Sequence, residues 1–276
     1  MKAITIIKGN GERETFESKK LNASLLRAGA SALIRSRIVT HIEGEISDGM
    51  RTSEIYRHAF MLLRKAARPV AARYSMPRAI FDLGPSGFPF ETFVGEIFKA
   101  RGFRVFTDQM LQGKCVSHEV DIVAQKQNEC IVAELKFHNS LTLKSDVQVP
   151  LYVHSRFKDL FAGRGREKNP FCIDRGMLIT NTKFTDQAIA YGSCAGLAMI
   201  GWNYPLKGNL HDLINDAKVH PLTSLTLLSK QQKRLLLERK VVLCQTLSEH
   251  RSDLADVGLS PQKIDRVLSE ADSLCR

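Results

Sequence analysis

The sequence predicts an α/β protein built around a mixed central sheet, and three observations carry this prediction. Short apolar runs of strand character lie in the middle of the chain, between amphipathic stretches with helical period. An Asn-Gly turn predicts a small β-hairpin near the N-terminus, ahead of a mostly helical stretch. The last part of the chain is predicted to be helical. We therefore expect three units, over residues 1–86, 87–205 and 206–276.

Composition and charge limit the class of protein. The 276 residues, 43% hydrophobic and 25% charged, suit a soluble globular protein with more than one core. No apolar run approaches the about 18 residues of a membrane helix, and no two of the six cysteines have CxxC spacing. We expect a cytoplasmic protein with no membrane partner and no zinc ribbon. The net charge of +11 favours a polyanionic partner, either nucleotide or nucleic acid.

The first unit begins with a strand over residues 3–7, a turn at Lys8–Gly11 and a returning strand over residues 12–16. Helices are predicted from Ser18 and over about 33–46, 52–67 and 69–83. Three blocks then occur in a distinctive order. They are Ile7-Lys8-x-x-Gly11 with Phe16 and Lys20-Leu21, then Asp48 to Ile55, and finally Arg73-Tyr74 with Arg78 to Phe81. In this order and spacing, residues 3–84 resemble the ATP-cone domain of ribonucleotide reductases and of a related transcriptional repressor.

The resemblance implies a regulatory site for ATP or dATP that senses the nucleotide without cleaving it. Lysines beside a Gly-containing turn and a helix N-terminus are compatible with bound phosphate. The same lysines would also suit a basic helical domain that uses them for solubility or for nucleic acid. Carried over by position, the resemblance implies phosphate contacts from Lys8 and Lys20, a nucleotide contact from Glu14, and a pocket lined by Ile7, Thr52 and Tyr56.

The central unit contains two strand-like runs that carry acids. Glu119 and Asp121 alternate along the first run and project to one face, as do Glu134 and Lys136 on the second. The polar residues 125–128 between them predict a hairpin. Carboxylates crowded at one end of a sheet are stabilised by a hard divalent cation, and Lys136 could serve an attacking water or charge on phosphorus. An ordinary solvated ion pair gives the same ExK spacing, but the apolar setting of the acids favours a metal site.

This pattern resembles the PD-(D/E)xK motif, and its order of helix and strands over 89–204 resembles Mrr-like restriction endonucleases. The resemblance implies that Asp121 and Glu134 hold Mg²⁺ or Mn²⁺, with Glu119 or Glu91 assisting. Lys136 would serve the water that hydrolyses a phosphodiester bond of DNA, with RNA not excluded. Glu91 is equally compatible with a surface glutamate in a first helical turn.

Beyond Pro221, leucines predict a long helical segment, and Ser260 with Pro261 predicts the start of a last helix. We expect this tail to pack or to dimerise. The loop Gly163–Asn169 is a candidate DNA-backbone contact or a simple connector. Together the resemblances imply a Mg²⁺-dependent endodeoxyribonuclease, regulated by ATP or dATP and acting as a homo-oligomer. The alternative is a non-catalytic, nucleotide-responsive DNA-binding regulator or scaffold.

Overall fold

A computed structural model describes residues 4–127, 129–163, 171 and 173–275. It confirms the α/β class, with a central mixed sheet of five strands and a helical C-terminal segment. The strands are β1 Thr5–Ile7, β2 Arg13–Thr15, β3 Arg104–Gln112, β4 Ser117–Lys126, β5 Glu129–Lys136, β6 Lys144–Ser145, β7 Arg175–Thr180, β8 Lys183–Phe184 and β9 Ala198–Ile200. The helices are α1 Ser18–Arg27, α2 Ala32–Glu45, α3 Thr52–Ala66, α4 Arg68–Tyr74, α5 Met76–Phe81, α6 Phe88–Ala100, α7 Gln148–Ala162, α8 Asp186–Ala195, α9 Leu210–Ala217, α10 Lys230–Glu238, α11 Arg251–Asp256 and α12 Pro261–Cys275.

The N-terminal hairpin forms as predicted. Strands β1 and β2 pair antiparallel, and Gly11 takes the positive φ of 86° that the turn requires. The single helix predicted over 69–83 is wrong, because the chain forms α4 and α5 instead, with a break at Ser75. Pro77 has no N–H to donate one turn back, so a continuous helix would lose a backbone hydrogen bond there.

The central sheet has the strand order β3-β4-β5-β7-β9. Its first two pairings are antiparallel and its last two are parallel. Residues of α6 and α9 pack in one apolar cluster with one face, and residues of α7 and α8 pack with the other. Strand β5 is therefore buried on both sides, which explains its continuous apolar run from Cys130 to Ala133.

Apolar contacts cross the predicted unit boundaries. Met76 and Ile80 of α5 belong to the same buried cluster as Phe90 and Phe93 of α6. The Thr223 hydroxyl, far along the chain, donates a 2.6 Å hydrogen bond to the carbonyl of Ala79. The division into three units stays a prediction, and the buried residues of α5 pack in the core of the central sheet.

The C-terminal segment after Pro221 is helical, but the prediction of one long continuous stretch is wrong. Helix α10 ends at Glu238, and Lys240 adopts a left-handed φ of 63°. The chain then extends, so that the Leu222 N–H donates to the Val242 carbonyl at 2.7 Å. Two adjacent β-branched valines favour this extended path. The start of α12 at Pro261 is as predicted. Of the loop Gly163–Asn169, predicted as a DNA-backbone contact or a connector, residues 164–169 lie outside the described residues.

Helix α7 is held against the turn between β3 and β4 by Asp159. Its carboxylate accepts hydrogen bonds from the Cys115 N–H at 2.9 Å and the Val116 N–H at 3.3 Å, and lies 2.9 Å from His118 Nε2. The contact with His118 holds the pKa of Asp159 well below its usual range. This attachment fixes the position of the side chains that α7 presents to the sheet. No helix within the described ranges is long and apolar enough to cross a bilayer.

We expect Glu270→Ala to destabilise the protein by about 3 kcal/mol, because Glu270 is buried and its removal leaves several donors unpartnered. Its carboxylate accepts hydrogen bonds from the N–H groups of Thr226 and Leu227 at 2.9 and 3.0 Å. Urea unfolding would measure the change. Glu238→Ala is the matched control, since that side chain is 60% exposed, and equal stability of the two variants would contradict the expectation.

Candidate active site

Acidic side chains lie level with one another on three neighbouring strands. The β4–β5 register pairs Ile122 with Ala133, so the next positions, Asp121 and Glu134, are opposite each other. The β3–β4 register places Asp108 level with Asp121 on its other side. Opposite residues of antiparallel strands project to the same face. Asp121 and Glu134 therefore project to one face, and Asp108, which interrupts β3 with a φ of 53°, is close enough for its charge to act on Asp121. We call these three residues the acid row.

The Asp121 carboxylate ends the pairing of β4 with β5. Beyond Ala133, the Leu135 N–H donates a 2.6 Å hydrogen bond to Asp121 Oδ2. A half-buried backbone N–H needs a partner, and here a side chain supplies it where the strand ladder stops. The contact holds Asp121 at the level of Glu134. The structure thus brings together the two acids that were predicted to bind metal.

Burial and repulsion disfavour the charged form of both acids. Burial, followed by the charge of Asp121, raises the pKa of Glu134 to about 7. Burial also raises the pKa of Asp121, opposed by its hydrogen bond from Leu135. A nearby positive charge would relieve both effects, so the pair is poised to take a cation.

Glu91 approaches the same acids from the first turn of α6. Burial raises its pKa to about 7, and the charges of Asp121, Asp108 and Glu119 add to the effect. Glu119 itself is exposed. Asp108 was not predicted. It lies between Phe106 and Met110 at alternate positions, and an acid between two apolar residues of a strand was the available signal.

Arg156 of α7 is the second residue that the sequence did not reveal. Its Nη1 lies 2.6 Å from Glu134 Oε1, and its guanidinium donates to the backbone carbonyl of Glu119. It also lies 5.4 Å from the ring of Tyr152, one helical turn earlier. An arginine on the polar face of a helix is common, so spacing alone could not select it. Only the attachment of α7 to the sheet brings it to the acid row.

Lys136 opens onto a groove beside the acid row. It is exposed and lies two positions after Glu134, on the same side of β5. The groove has a volume of 400 Å³ and is also lined by His138 and Lys144. His138 Nε2 lies 2.8 Å from Ser145 Oγ, and burial together with the charge of Lys136 lowers its pKa. Two lysines and a largely neutral imidazole therefore line the groove together with the carboxylates of Glu134 and Asp146.

The acid row offers two carboxylates to a hard cation, Asp121 and Glu134, and both already have partners within the protein. Mg²⁺ is typically held by one or two carboxylates, with waters completing its shell, and Asp121 with Glu134 offers such a pair. Among the described residues, no three His, Cys, Asp or Glu side chains are grouped as ligands of one ion. Arg156 and the Leu135 N–H each already engage one of the two acids. A bound cation would therefore compete with Arg156 for Glu134.

The charged residues implied for nucleotide binding cluster on the hairpin. Glu14 Oε2 of β2 lies 3.0 Å from Lys8 Nζ and 3.4 Å from Lys20 Nζ. Hydrogen bonding from Lys8 lowers the pKa of Glu14. The structure brings these three together, and Lys8 and Lys20 also pair with Glu12 at 3.5 Å and with Glu17 at 2.9 Å, respectively.

The apolar candidates lie where the hairpin meets α3. The Ile7 N–H donates to the Met50 carbonyl at 3.0 Å, just before Thr52 begins the helix. One turn later, the Tyr56 ring stacks on Tyr74 with centroids 5.2 Å apart. The Tyr56 hydroxyl is buried and, within the described part of the chain, has no hydrogen-bond partner. Such a group costs about 1–3 kcal/mol, which a hydrogen-bonding ligand would offset.

The hairpin turn lies against the loop that follows Lys136. A side chain at Gly9 would come within 3.0 Å of Thr142 Cγ2, and the charge of Lys144 acts on Glu12. The connection between α5 and α6 touches the same loop, because the Asn139 side chain donates to the Pro85 carbonyl at 3.2 Å. The loop 137–145 continues the acid-bearing strand β5. It is contacted both by the hairpin turn and by the connection between α5 and α6.

Comparisons with solved structures support the fold. A crystal structure described as the protein of unknown function AF1548 matches with a TM-score of 0.54 and 28% identity, over 69% of this chain and 98% of that one. The MspJI restriction endonuclease in complex with a 27-mer oligonucleotide gives a TM-score of 0.29 and 13% identity, over 53% of this chain and 35% of that one. A likeness of that size carries no argument about this chain.

Sequence comparisons identify the family. The family model described as AF1548-like, C-terminal, matches residues 220–275, which cover most of the C-terminal helical segment. An uncharacterized protein of Archaeoglobus fulgidus is 31% identical over 179 residues, which span 64% of this chain and 97% of the relative. Because nearly the whole of that relative is matched at this identity, the chain belongs to the AF1548-like family.

Proposed function

We propose that this chain is a Mg²⁺- or Mn²⁺-dependent nuclease that hydrolyses phosphodiester bonds of DNA. The observation that carries the proposal is the pairing of Asp121 with Glu134 at the level where the β4–β5 ladder ends, with Lys136 two positions further along β5. Both acids have raised pKa values and would be stabilised by a divalent cation. The cation would supply Lewis-acid stabilisation of charge on phosphorus.

The side chains of the site have separable roles in this proposal. Asp121 and Glu134 hold the cation, and Glu91 or Glu119 assists from the flanks. Lys136 donates hydrogen bonds to the attacking water or to a phosphate oxygen, since no carboxylate within the described residues pairs with its ammonium. Arg156 would have to release Glu134 for that carboxylate to hold a cation. Nucleic acid enters along the groove of Lys136 and Lys144, whose charges oppose those of the phosphates.

We also propose that ATP or dATP binds at the hairpin and regulates the nuclease. Lys8 and Lys20 share Glu14 there and also pair with Glu12 and Glu17, so a phosphate would bind the lysines by displacing these carboxylates. The buried, unpartnered hydroxyl of Tyr56 offers a further hydrogen bond. A nucleotide that displaced Glu14 would act on the hairpin turn, which rests on the loop after Lys136. We expect a homo-oligomer, since cutting both strands of a duplex generally requires paired sites.

A non-catalytic regulator is the second candidate, and one observation favours it. The ion pair between Arg156 and Glu134 neutralises one member of the acid row from within the protein. A chain that bound DNA without cleaving it would keep this pair closed. The cleavage experiment below separates the two candidates.

We expect Asp121→Asn and Lys136→Ala each to lower cleavage of supercoiled plasmid by about 10²- to 10⁴-fold in the presence of Mg²⁺ or Mn²⁺. The asparagine keeps an acceptor for the Leu135 N–H and removes only the charge, so the loss would not reflect unfolding. Gel assays with and without ATP would also give the sign of regulation.

Lys126→Ala is the control, because Lys126 is an exposed lysine at the far end of β4, next to the turn between β4 and β5. Cleavage that survives Asp121→Asn would remove the acid row from the mechanism. Absence of cleavage together with nucleotide-dependent DNA binding would select the regulator.

The raised pKa of Glu134 links metal binding to pH. Between its ordinary value of 4.5 and about 7, the folded protein holds more protons than the unfolded chain. The free energy of unfolding therefore falls as pH rises through this interval. Mn²⁺ binds the deprotonated pair of the folded state, so it should raise Tm more at about pH 8 than at about pH 5.

Thermal melts of Glu134→Gln provide the test. This variant should flatten the fall in stability and reduce the Mn²⁺ effect, whereas Glu43→Gln, at an exposed position of α2, should do neither. An equal Mn²⁺ shift in the parent and in Glu134→Gln would contradict a metal site at this pair.

We expect Lys8→Ala and Lys20→Ala each to weaken ATP binding by about tenfold, as measured by isothermal titration calorimetry of the full chain. Tyr56→Phe should weaken it less, through the loss of one neutral hydrogen bond. Lys19→Ala is the matched control on the same helix. Unchanged affinity in both Lys8→Ala and Lys20→Ala would exclude the hairpin as the nucleotide site.

A further inference from the structure

A second cavity lies between helices α1 and α4 and the residues that follow strands β7 and β9. It has a volume of 290 Å³, about the lower end of the range for small-molecule sites. Helices α1 and α4 contribute Arg27 and Arg73 to one wall. The opposite wall consists of residues that directly follow two strands, with Asn181 and Lys183 after β7 and Trp202 after β9. We call this the cationic cavity.

The position of the cationic cavity in the sheet is one that ligands commonly occupy. Strands β5, β7 and β9 run parallel, and the cavity lies outside the carboxyl ends of β7 and β9. In open α/β sheets, ligands bind in the crevice at these ends. The Asn181 side chain exchanges two hydrogen bonds with the backbone of His138, at 2.7 and 3.0 Å. Asn181 of the cavity wall therefore contacts His138, which lines the groove of Lys136.

The charge of the cavity is positive and locally unbalanced. Arg27, Arg73 and Lys183 line it, and no carboxylate is among the residues of its wall. In the described part of the chain, none of these three cations has a carboxylate oxygen within ion-pair distance. Arg73 is partly buried, with Nε donating to the Ala28 carbonyl at 3.1 Å, and this burial lowers its pKa. Cations held together without a counter-charge repel one another, and an anion would stabilise them.

The cavity also has an aromatic wall. Trp202 and His211 pack edge to face, with ring centroids 5.5 Å apart. Burial lowers the pKa of His211, so the imidazole is largely neutral at physiological pH. The Asp212 carboxylate accepts hydrogen bonds at Oδ2 from the Gly208 N–H and from the Asn209 side chain, each at 2.9 Å, and its Oδ1 lies 3.7 Å from His211 Nδ1. An indole beside a group of cations suits a base attached to a phosphate.

We propose that the cationic cavity binds a nucleoside monophosphate group, with Arg27, Arg73 and Lys183 on the phosphate and Trp202 against the base. This group occurs both in a free nucleotide and at the 5′ end of a nucleic acid strand. The site is distinct from the hairpin site of the proposed function. It does not depend on that site or on nuclease activity, because it uses none of the same side chains.

Trp202 makes the test direct, because it is the single tryptophan of the chain. Intrinsic fluorescence, excited at the red edge of the indole band where adenine does not absorb, reports on this cavity alone. AMP, inorganic phosphate and a short 5′-phosphorylated single-stranded oligonucleotide are titrated into the full chain, and calorimetry is run in parallel. We expect saturable quenching by AMP, by the oligonucleotide or by both, with the tighter of the two identifying the source of the phosphate group.

Variants decide whether the proposed cations bind the ligand. Arg27→Ala and Lys183→Ala replace exposed side chains and should each weaken binding by about tenfold, with the native fold kept. Lys65→Ala, at an exposed position of α3, should leave it unchanged, and Lys20→Ala of α1 tests whether AMP binds at the hairpin site instead. The proposal is overturned if neither Arg27→Ala nor Lys183→Ala weakens binding, if Lys20→Ala removes it, or if neither fluorescence nor calorimetry detects AMP or the oligonucleotide.

Discussion

The hydrogen bond from the Leu135 N–H to Asp121 determines much of the chemistry of this fold. Strand β5 is buried on both faces, so its backbone groups cannot turn to water where the ladder with β4 ends. A carboxylate takes the place of the missing strand partner and is thereby held at half-buried depth. The next acid on β5, Glu134, lies opposite it in the register. A backbone requirement thus places two negative charges side by side, and the raised pKa values follow from that placement.

Two positive groups can neutralise these acids, and only one of them belongs to the chain. Arg156 reaches Glu134 because Asp159 anchors α7 to the turn between β3 and β4. Removing one partner of a partly buried ion pair leaves the other charge uncompensated, which is costly. A divalent cation bound as we propose would replace the arginine, so any affinity of the site for metal would include the free energy of opening this pair. The same arginine can therefore act as a stabilising partner in the free protein and as a competitor for the cation.

Local patterns predicted the parts of the fold that depend on neighbours in sequence. The hairpins, the buried strand β7 and the first residue of α12 follow from alternation, turn residues and capping, which act over a few residues. The break between α4 and α5 was also local, because Pro77 alone explains it, yet the apolar pattern across it obscured the signal. Arg156 could not be found in this way. Its role depends on the position of α7 relative to β5, which long-range packing sets, whereas Asp108 needed only the β3–β4 register.

The loop 137–145 contacts three other parts of the protein. The hairpin turn contacts it at Thr142, the connection before α6 contacts it through Asn139, and β7 contacts it through Asn181 and His138. The loop directly continues the strand that carries Glu134 and Lys136. A ligand shifts an equilibrium only by its difference in affinity between two states. An occupant of the hairpin site or of the cationic cavity can therefore affect the acid row only if the loop has two arrangements that the occupant distinguishes. Contacts on three sides constrain this loop, so a second arrangement would require at least one of them to be released.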